Sequence, residues 1–187
     1  KKNNFENNGS GTSTSAGTEN NGIGNFVFTK ILENIFQNND NNGFTFGGYR
    51  NNANNNLIKN NLSINNGGDG FSFRWGDVVR GFADNIIEGN IIYKNAGNGI
   101  TIGRDNNVIK RNIIVDNNGS GIGISGTYIY EGLIIENNII SGNKRYGIDL
   151  SSNTNTLVLN NSIINSGSDS NYPSIGIPDS YIASSNN

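Results

Sequence analysis

An isoleucine three residues ahead of an asparagine recurs along this chain, in Ile58-Lys59-Asn60-Asn61, Ile87-Glu88-Gly89-Asn90, Ile109-Lys110-Arg111-Asn112 and Ile135-Glu136-Asn137-Asn138. Such a repeat restricts the fold more than any other feature. A unit this short cannot bury its own apolar side chains, so it has to stack on copies of itself. With Asn34, Asn61, Asn90, Asn112, Asn138 and Asn161 in register, the periods are 27, 29, 22, 26 and 23 residues.

The register exposes further columns. Two residues after each anchor stand Phe36, Ser63, Ile92, Ile114, Ile140 and Ile163, and three before it Ile31, Ile58, Ile87, Ile109, Ile135 and Val158. Both columns read as buried. Ten and twelve after the anchor come Phe44/Phe46, Phe71/Phe73, Ile100/Ile102, Ile122/Ile124 and Ile148/Leu150, the period-two alternation of a short strand with one buried face. Asn39, Asn66, Asn95, Asn117 and Asn143, five after the anchor, mark a corner, as do Gly43, Gly70, Gly99, Gly121 and Gly147, nine after it. Asn3, Phe5 and Asn8 fit a partial coil ahead of the first full one. The expected fold is an all-β solenoid of about six to seven coils, with like residues stacked on like. Asn suits its corners, because it tolerates left-handed backbone angles and its amide can bond the equivalent Asn one coil away. Two Asn ladders are expected.

Composition narrows the function. The 41 Asn and 26 Gly would favour turns and disorder without such a repeat. A net charge of -2 supplies no basic field for nucleic acid or an anionic membrane surface, and the apolar runs are far too short for a membrane helix. Without Cys or His, disulfides, zinc sites and Ser-His-Asp triads are excluded. Residues 1–187 are expected to form one domain, with an inserted loop at about 9–19 and an irregular tail from about 168. The absence of Met suggests a mature form or a segment of a longer chain.

The pattern Ile-x-x-Asn-x-Ile-x-x-Asn followed by Gly-Ile-x-Ile, as in Ile109 to Ile124, resembles the right-handed parallel β-helix proteins of the pectate-lyase-like superfamily. The resemblance covers about residues 23 to 166. It implies a right-handed single-stranded β-helix, secreted or at the cell surface, and leaves function open among lyases, epimerases, tailspikes and adhesins.

All length variation falls between the Gly-linked strand and the next coil, in connections of 10, 12, 5, 9 and 6 residues that leave one edge of the solenoid. Variable connections on a fixed scaffold are where function is usually placed. This edge carries Tyr49 and Arg50, then Arg74, Trp75, Asp77 and Arg80, then Arg104 and Asp105, then Tyr128 and Tyr130. Aromatic rings cover the apolar faces of sugars, and Arg grips carboxylates with paired hydrogen bonds, so the edge suits an acidic polysaccharide. Tyr49, Arg50, Asp69, Arg74, Trp75, Arg80, Arg104 and Asp105 are the candidate substrate-binding residues. The same side chains could instead cover the solenoid or pair with Asp77, Asp84 and Asp105.

The stretch from Asn65 to Trp75 is similar to the calcium-binding coil of family-nine polysaccharide lyases. Asp69 matches one acid of that coil, but Gly68, Ser72 and Asn42 stand where the resemblance requires the other three carboxylates, and Thr101 or Gly123 where it requires the basic Lys. Calcium needs six to eight oxygens, so a Ca²⁺-and-Lys mechanism is only weakly supported. Related epimerases and alginate lyases that depend on His are set aside because the chain has none. An Arg base, from Arg74, Arg80 or Arg104, remains open, and no catalytic residue is assigned.

A non-enzymatic stalk, tailspike or filament module is the alternative. Leu57, Ile86, Val108, Ile134 and Leu157 form an apolar column that alternation points outward, suited to lateral self-association. A second column, Ile35, Leu62, Ile91, Ile113 and Ile139, is expected to be turned inward by a bend at the anchor. Thr45, Ser72, Thr101, Gly123 and Asp149 should form a small, open column on the Gly-linked strand.

Overall fold

The computed structural model describes residues 3–6, 28–45, 54–73, 83–103, 105–124, 131–150, 155–167 and 174–176. Three parallel sheets run the length of the solenoid, each built from one short strand per coil. Sheet I holds seven strands following the anchors, including Ile91–Tyr93, Ile113–Val115 and Ile139–Ser141. Sheet II holds six strands, including Phe71–Phe73, Ile100–Ile102 and Ile122–Ile124, and sheet III holds six preceding the anchors, including Ile86–Glu88, Val108–Lys110 and Ile134–Glu136. Each strand pairs in parallel with its equivalents one coil away, so Ile109 faces Ile87 and Ile135, and Ile114 faces Ile92 and Ile140. The inserted loop at 9–19 lies outside the described residues. Within the tail, Ile175–Gly176 adds a strand to sheet II.

The corners differ from expectation in one respect. The left-handed residue precedes the ladder Asn: Asn60, Arg111 and Asn137 before the anchors (φ 56°, 55° and 56°), and Asn65, Lys94 and Asp116 before the second ladder (φ 55°, 55° and 54°). The same device recurs at Asn55, Asp84 and Asn106, with φ of 58°, 59° and 54°. The strands of sheets III and I are therefore joined by a two-residue corner, and the same left-handed-then-inward pair follows each of these sheet I strands and precedes each of these sheet III strands. One residue turns the chain at a cost of about 1 to 2 kcal/mol unless it is Gly, and the next points its amide inward.

Those amides form three ladders, one more than expected. In the anchor ladder the Asn90 backbone N–H and side-chain amide both donate to Asn112 Oδ1, at 2.9 and 3.0 Å, and the Asn112 pair donates likewise to Asn138 Oδ1. Asn66, Asn95, Asn117 and Asn143 form the second ladder. Asn56, Asn85 and Asn107 form the third. The spare amide hydrogen reaches a carbonyl, as from Asn112 to Ile87 O at 2.9 Å, so the buried amides are satisfied.

Inside the ladders lies one aliphatic and aromatic core containing Phe36, Phe44, Ile58, Phe71, Phe73, Ile87, Ile109 and Ile114. Ser63 occupies a position that is Ile in the next coils. Its small side chain coincides with an aromatic cluster in which Phe36 meets Phe71 edge-on at 6.1 Å, and its hydroxyl donates to Gly70 O at 2.9 Å. The glycine column reflects close approach: a Cβ on Gly99 would lie 2.6 Å from Gly121 O.

The column expected to turn inward faces solvent instead. Ile91, Ile113 and Ile139 are 46, 39 and 48% exposed, whereas Ile114 is fully buried. The two-residue corner closes completely at the anchor, so alternation restarts with the following residue outward. Ile86, Val108 and Ile134 on sheet III are only half-buried, and Leu157 is exposed.

Candidate functional site: the outer face of sheet II

Sheet II is the face from which the variable connections leave. Its core-facing side chains, such as Ile100 and Ile102, fix the strand, and the residue between them points away. That outward column is not open as expected. Ser72 and Thr101 are 1 and 2% exposed. One cause is a fourth, unforeseen ladder, eight residues after each anchor. Asn42 Oδ1 accepts the Asp69 N–H at 2.7 Å, Asp69 Oδ1 accepts the Asn98 N–H at 2.9 Å, and Asn98 Oδ1 accepts the Ser120 N–H at 2.8 Å. The amides of Asn42 and Asn98 then donate to Thr45 Oγ1 and Thr101 Oγ1, at 3.1 and 3.0 Å. The Asn98 amide also lies over Gly123, where a Cβ would come within 3.0 Å of its carbonyl carbon.

The coil between these two breaks the pattern. Asp69 replaces Asn, so an oxygen stands where an N–H₂ should donate, and Ser72 replaces Thr. Asp69 Oδ2 and Ser72 Oγ are both buried, and neither hydrogen-bonds to another residue. Leaving a buried polar atom unpaired costs about 1 to 3 kcal/mol. Ser63, Asp69 and Ser72 thus place three departures from the repeat in one coil, immediately before the longest connection.

Of the residues expected to bind substrate, Asp69 and Asp105 are described. Asp69 belongs to the broken rung. Asp105 is exposed, and its Oδ1 accepts the Glu131 N–H at 2.9 Å, so it also ties two connections together. Tyr49, Arg50, Arg74, Trp75, Arg80 and Arg104 lie outside the described residues, as do Asp77, Tyr128 and Tyr130. Ser72 was missed as a hydrogen-bonding group, although Asn42, Asp69, Asn98 and Ser120 in one column were legible as a ladder.

The local donor set does not fit the calcium coil. Gly68 offers no side chain, Asn42 is committed to Asp69 and Thr45, and among the described residues no three His, Cys, Asp or Glu gather to hold a metal. No described helix is long and apolar enough to cross a membrane.

Sheet III carries a separate charged rung. Glu88 meets Arg111 at 3.0 Å and Lys59 at 3.5 Å. Partial burial pushes the Glu88 carboxyl up, but the Arg111 hydrogen bond and the Lys59 and Lys110 charges outweigh it and hold the group below its ordinary value.

A three-sheet parallel solenoid with inward Asn corners defines the right-handed β-helix class. The model for the right-handed β-helix region matches residues 1–166, and the chain belongs to that family. Among solved structures it is similar to the A-modules of the Azotobacter vinelandii mannuronan C-5 epimerases AlgE4 and AlgE6. Both share 20% identity and a TM-score of 0.67; the match covers 80% of this chain and 39 and 38% of theirs. The periplasmic alginate epimerase AlgG, as a T265N mutant, matches at 18% identity and a TM-score of 0.53, over 73% of this chain and 33% of its own. The chain thus spans about two fifths or less of these neighbours, and the likeness carries the fold alone. No curated protein sequence matches.

Proposed function

We propose that this chain is an extracytoplasmic segment that binds an acidic polysaccharide along sheet II and the connections leaving it. The carrying observation is the broken rung. The equivalent pairs in the coils on either side, Asn42–Thr45 and Asn98–Thr101, are hydrogen-bonded, whereas Asp69 and Ser72 retain hydrogen-bonding capacity that their coil leaves unused, next in sequence to the connection bearing Arg74, Trp75 and Arg80. Departures from local consistency concentrate at functional sites. Tyr49, Arg50, Arg104 and Asp105 would extend the track along neighbouring coils. Sugar hydroxyls suit Asp69 and Ser72, and sugar carboxylates suit the arginines. Both unpaired atoms are shielded, so engagement requires local opening of the surface over them. The structural neighbours, epimerases of mannuronan and alginate, support this ligand class. Lyase chemistry, with an Arg as base, is a narrower form of the same reading.

Trp75 is the only Trp, so its fluorescence reports on this edge without labelling. Titration with pectin and alginate should give a saturable change that neutral glucans do not, weakened by Arg74→Ala and by Asp69→Asn. No response to any acidic polymer would sink the reading. Self-association in ultracentrifugation, lost on Ile86→Lys or Val108→Lys, would then favour the stalk or filament module.

A further inference from the structure

A groove of about 460 Å³ runs along the corner between sheets I and II, away from the outer face of sheet II. Its wall passes through four successive coils, from Asn65 through Lys94 and Ala96, then Asp116 and Asn118, to Lys144. The groove therefore follows the solenoid axis. Asn66 and Asn95 in its lining are buried and committed to the second ladder, which makes that part of the floor rigid, while Lys94, Asp116 and Lys144 are exposed. Lys94 lies 4.9 Å from the Tyr93 ring centre. Its interaction with the Tyr93 side chain and the nearby Asp116 carboxylate hold the ammonium above its ordinary value, so it stays cationic.

Charge along the groove alternates by coil: positive at Lys94, negative at Asp116, positive at Lys144. Coils are spaced by one strand separation, so the two lysines are roughly 10 Å apart along the axis. That is the scale of one disaccharide in an extended pyranose chain. We propose that this corner binds a linear polysaccharide carrying a carboxylate on every second sugar, with Lys94 and Lys144 on successive carboxylates and Asp116 on the hydroxyls of the neutral sugar between them. A polymer with a carboxylate on every ring would set one against Asp116, a repulsion that supplies selectivity. Asn118 adds an amide for hydroxyls at the groove's edge, and Asn65, whose amide donates to Asn38 Oδ1 at 2.8 Å, adds its carbonyl oxygen as an acceptor. The proposal rests on the reading of the chain as a polysaccharide binder, but uses a different surface from the outer face of sheet II.

The test is calorimetric titration of the whole chain with hyaluronan oligosaccharides, which alternate charged and neutral sugars, and with polygalacturonate oligosaccharides of equal length. Trp75 fluorescence read in parallel isolates the sheet II edge. Hyaluronan oligomers should bind with no Trp75 response, and Lys94→Ala combined with Lys144→Ala should weaken them about tenfold or more. Asp116→Asn should tighten polygalacturonate while leaving hyaluronan within about twofold. All three side chains are exposed, so the variants should fold, with circular dichroism as the check. An unchanged affinity in the double-lysine variant overturns the corner site, as does equal tightening of both polymers by Asp116→Asn. If the corner fails while acidic polymers still move Trp75, the sheet II reading stands. If neither polymer binds at all, the corner site falls, and the sheet II reading is then decided by the alginate titration.

Discussion

Asn112 presents one amide oxygen to two donors of Asn90, the backbone N–H at 2.9 Å and the side-chain amide at 3.0 Å, while its own amide reaches Ile87 O and Asn138 Oδ1. Asn112→Ala removes all of these at once and strands buried groups in two adjacent coils. The expected loss is about 3 kcal/mol or more, read as a lower urea midpoint, with a fall of about 10 °C in the thermal midpoint. A loss below about 1 kcal/mol would mean that the ladder is not a main source of stability.

Asp69→Asn should act in the opposite direction. An amide at this position can donate to Ser72 as Asn98 does to Thr101, repairing the rung. A gain of about 1 kcal/mol is expected, together with the weakened polymer response described above. A destabilised variant would show that the unpaired oxygen has a structural role.

Two adjacent isoleucines should give opposite results. Ile114 is fully buried and Ile113 is 39% exposed. Ile114→Asp should abolish the cooperative fold by burying an unpaired charge, whereas Ile113→Asp should leave the circular dichroism spectrum unchanged. The reverse outcome would mean a register shifted by one residue.

Glu88 has a carboxyl held below its ordinary value, so its ion pairs stabilise the fold above the unfolded-state pKa and lose that contribution as pH falls through the folded value. Lys59 and Arg111 side chains are 38 and 65% exposed, which limits the effect to about 1 kcal/mol or less. Carboxyl NMR titration should find Glu88 among the last glutamates to protonate on acidification. Glu88→Gln should show a shallower loss of stability between about pH 5 and about pH 3.

The repeat, its register and the buried columns were legible in the sequence because stacking makes like residues meet: Ile109 faces Ile87 and Ile135, and a period visible in one dimension becomes a contact in three. The anchor ladder was legible for the same reason. What the sequence could not state was the direction of the chain at each corner. Residues as unlike as Arg111, Asn60 and Gly89 take the same left-handed turn, so composition did not mark it, and the outward placement of Ile91, Ile113 and Ile139 followed only once that turn was seen.

The candidate sites divide the same way. An Asp in a column otherwise of Asn and Ser was present in the sequence at Asp69. That its second oxygen and the Ser72 hydroxyl are both buried and unpaired depended on how Asn42 and Asn98 close their own rungs on Thr45 and Thr101. Lys94, Asp116 and Lys144 are far apart in the chain and fall in two different columns, so no linear pattern joins them. The solenoid does, because coils of 22 and 26 residues each advance by a single strand spacing and bring residues 50 positions apart onto one groove.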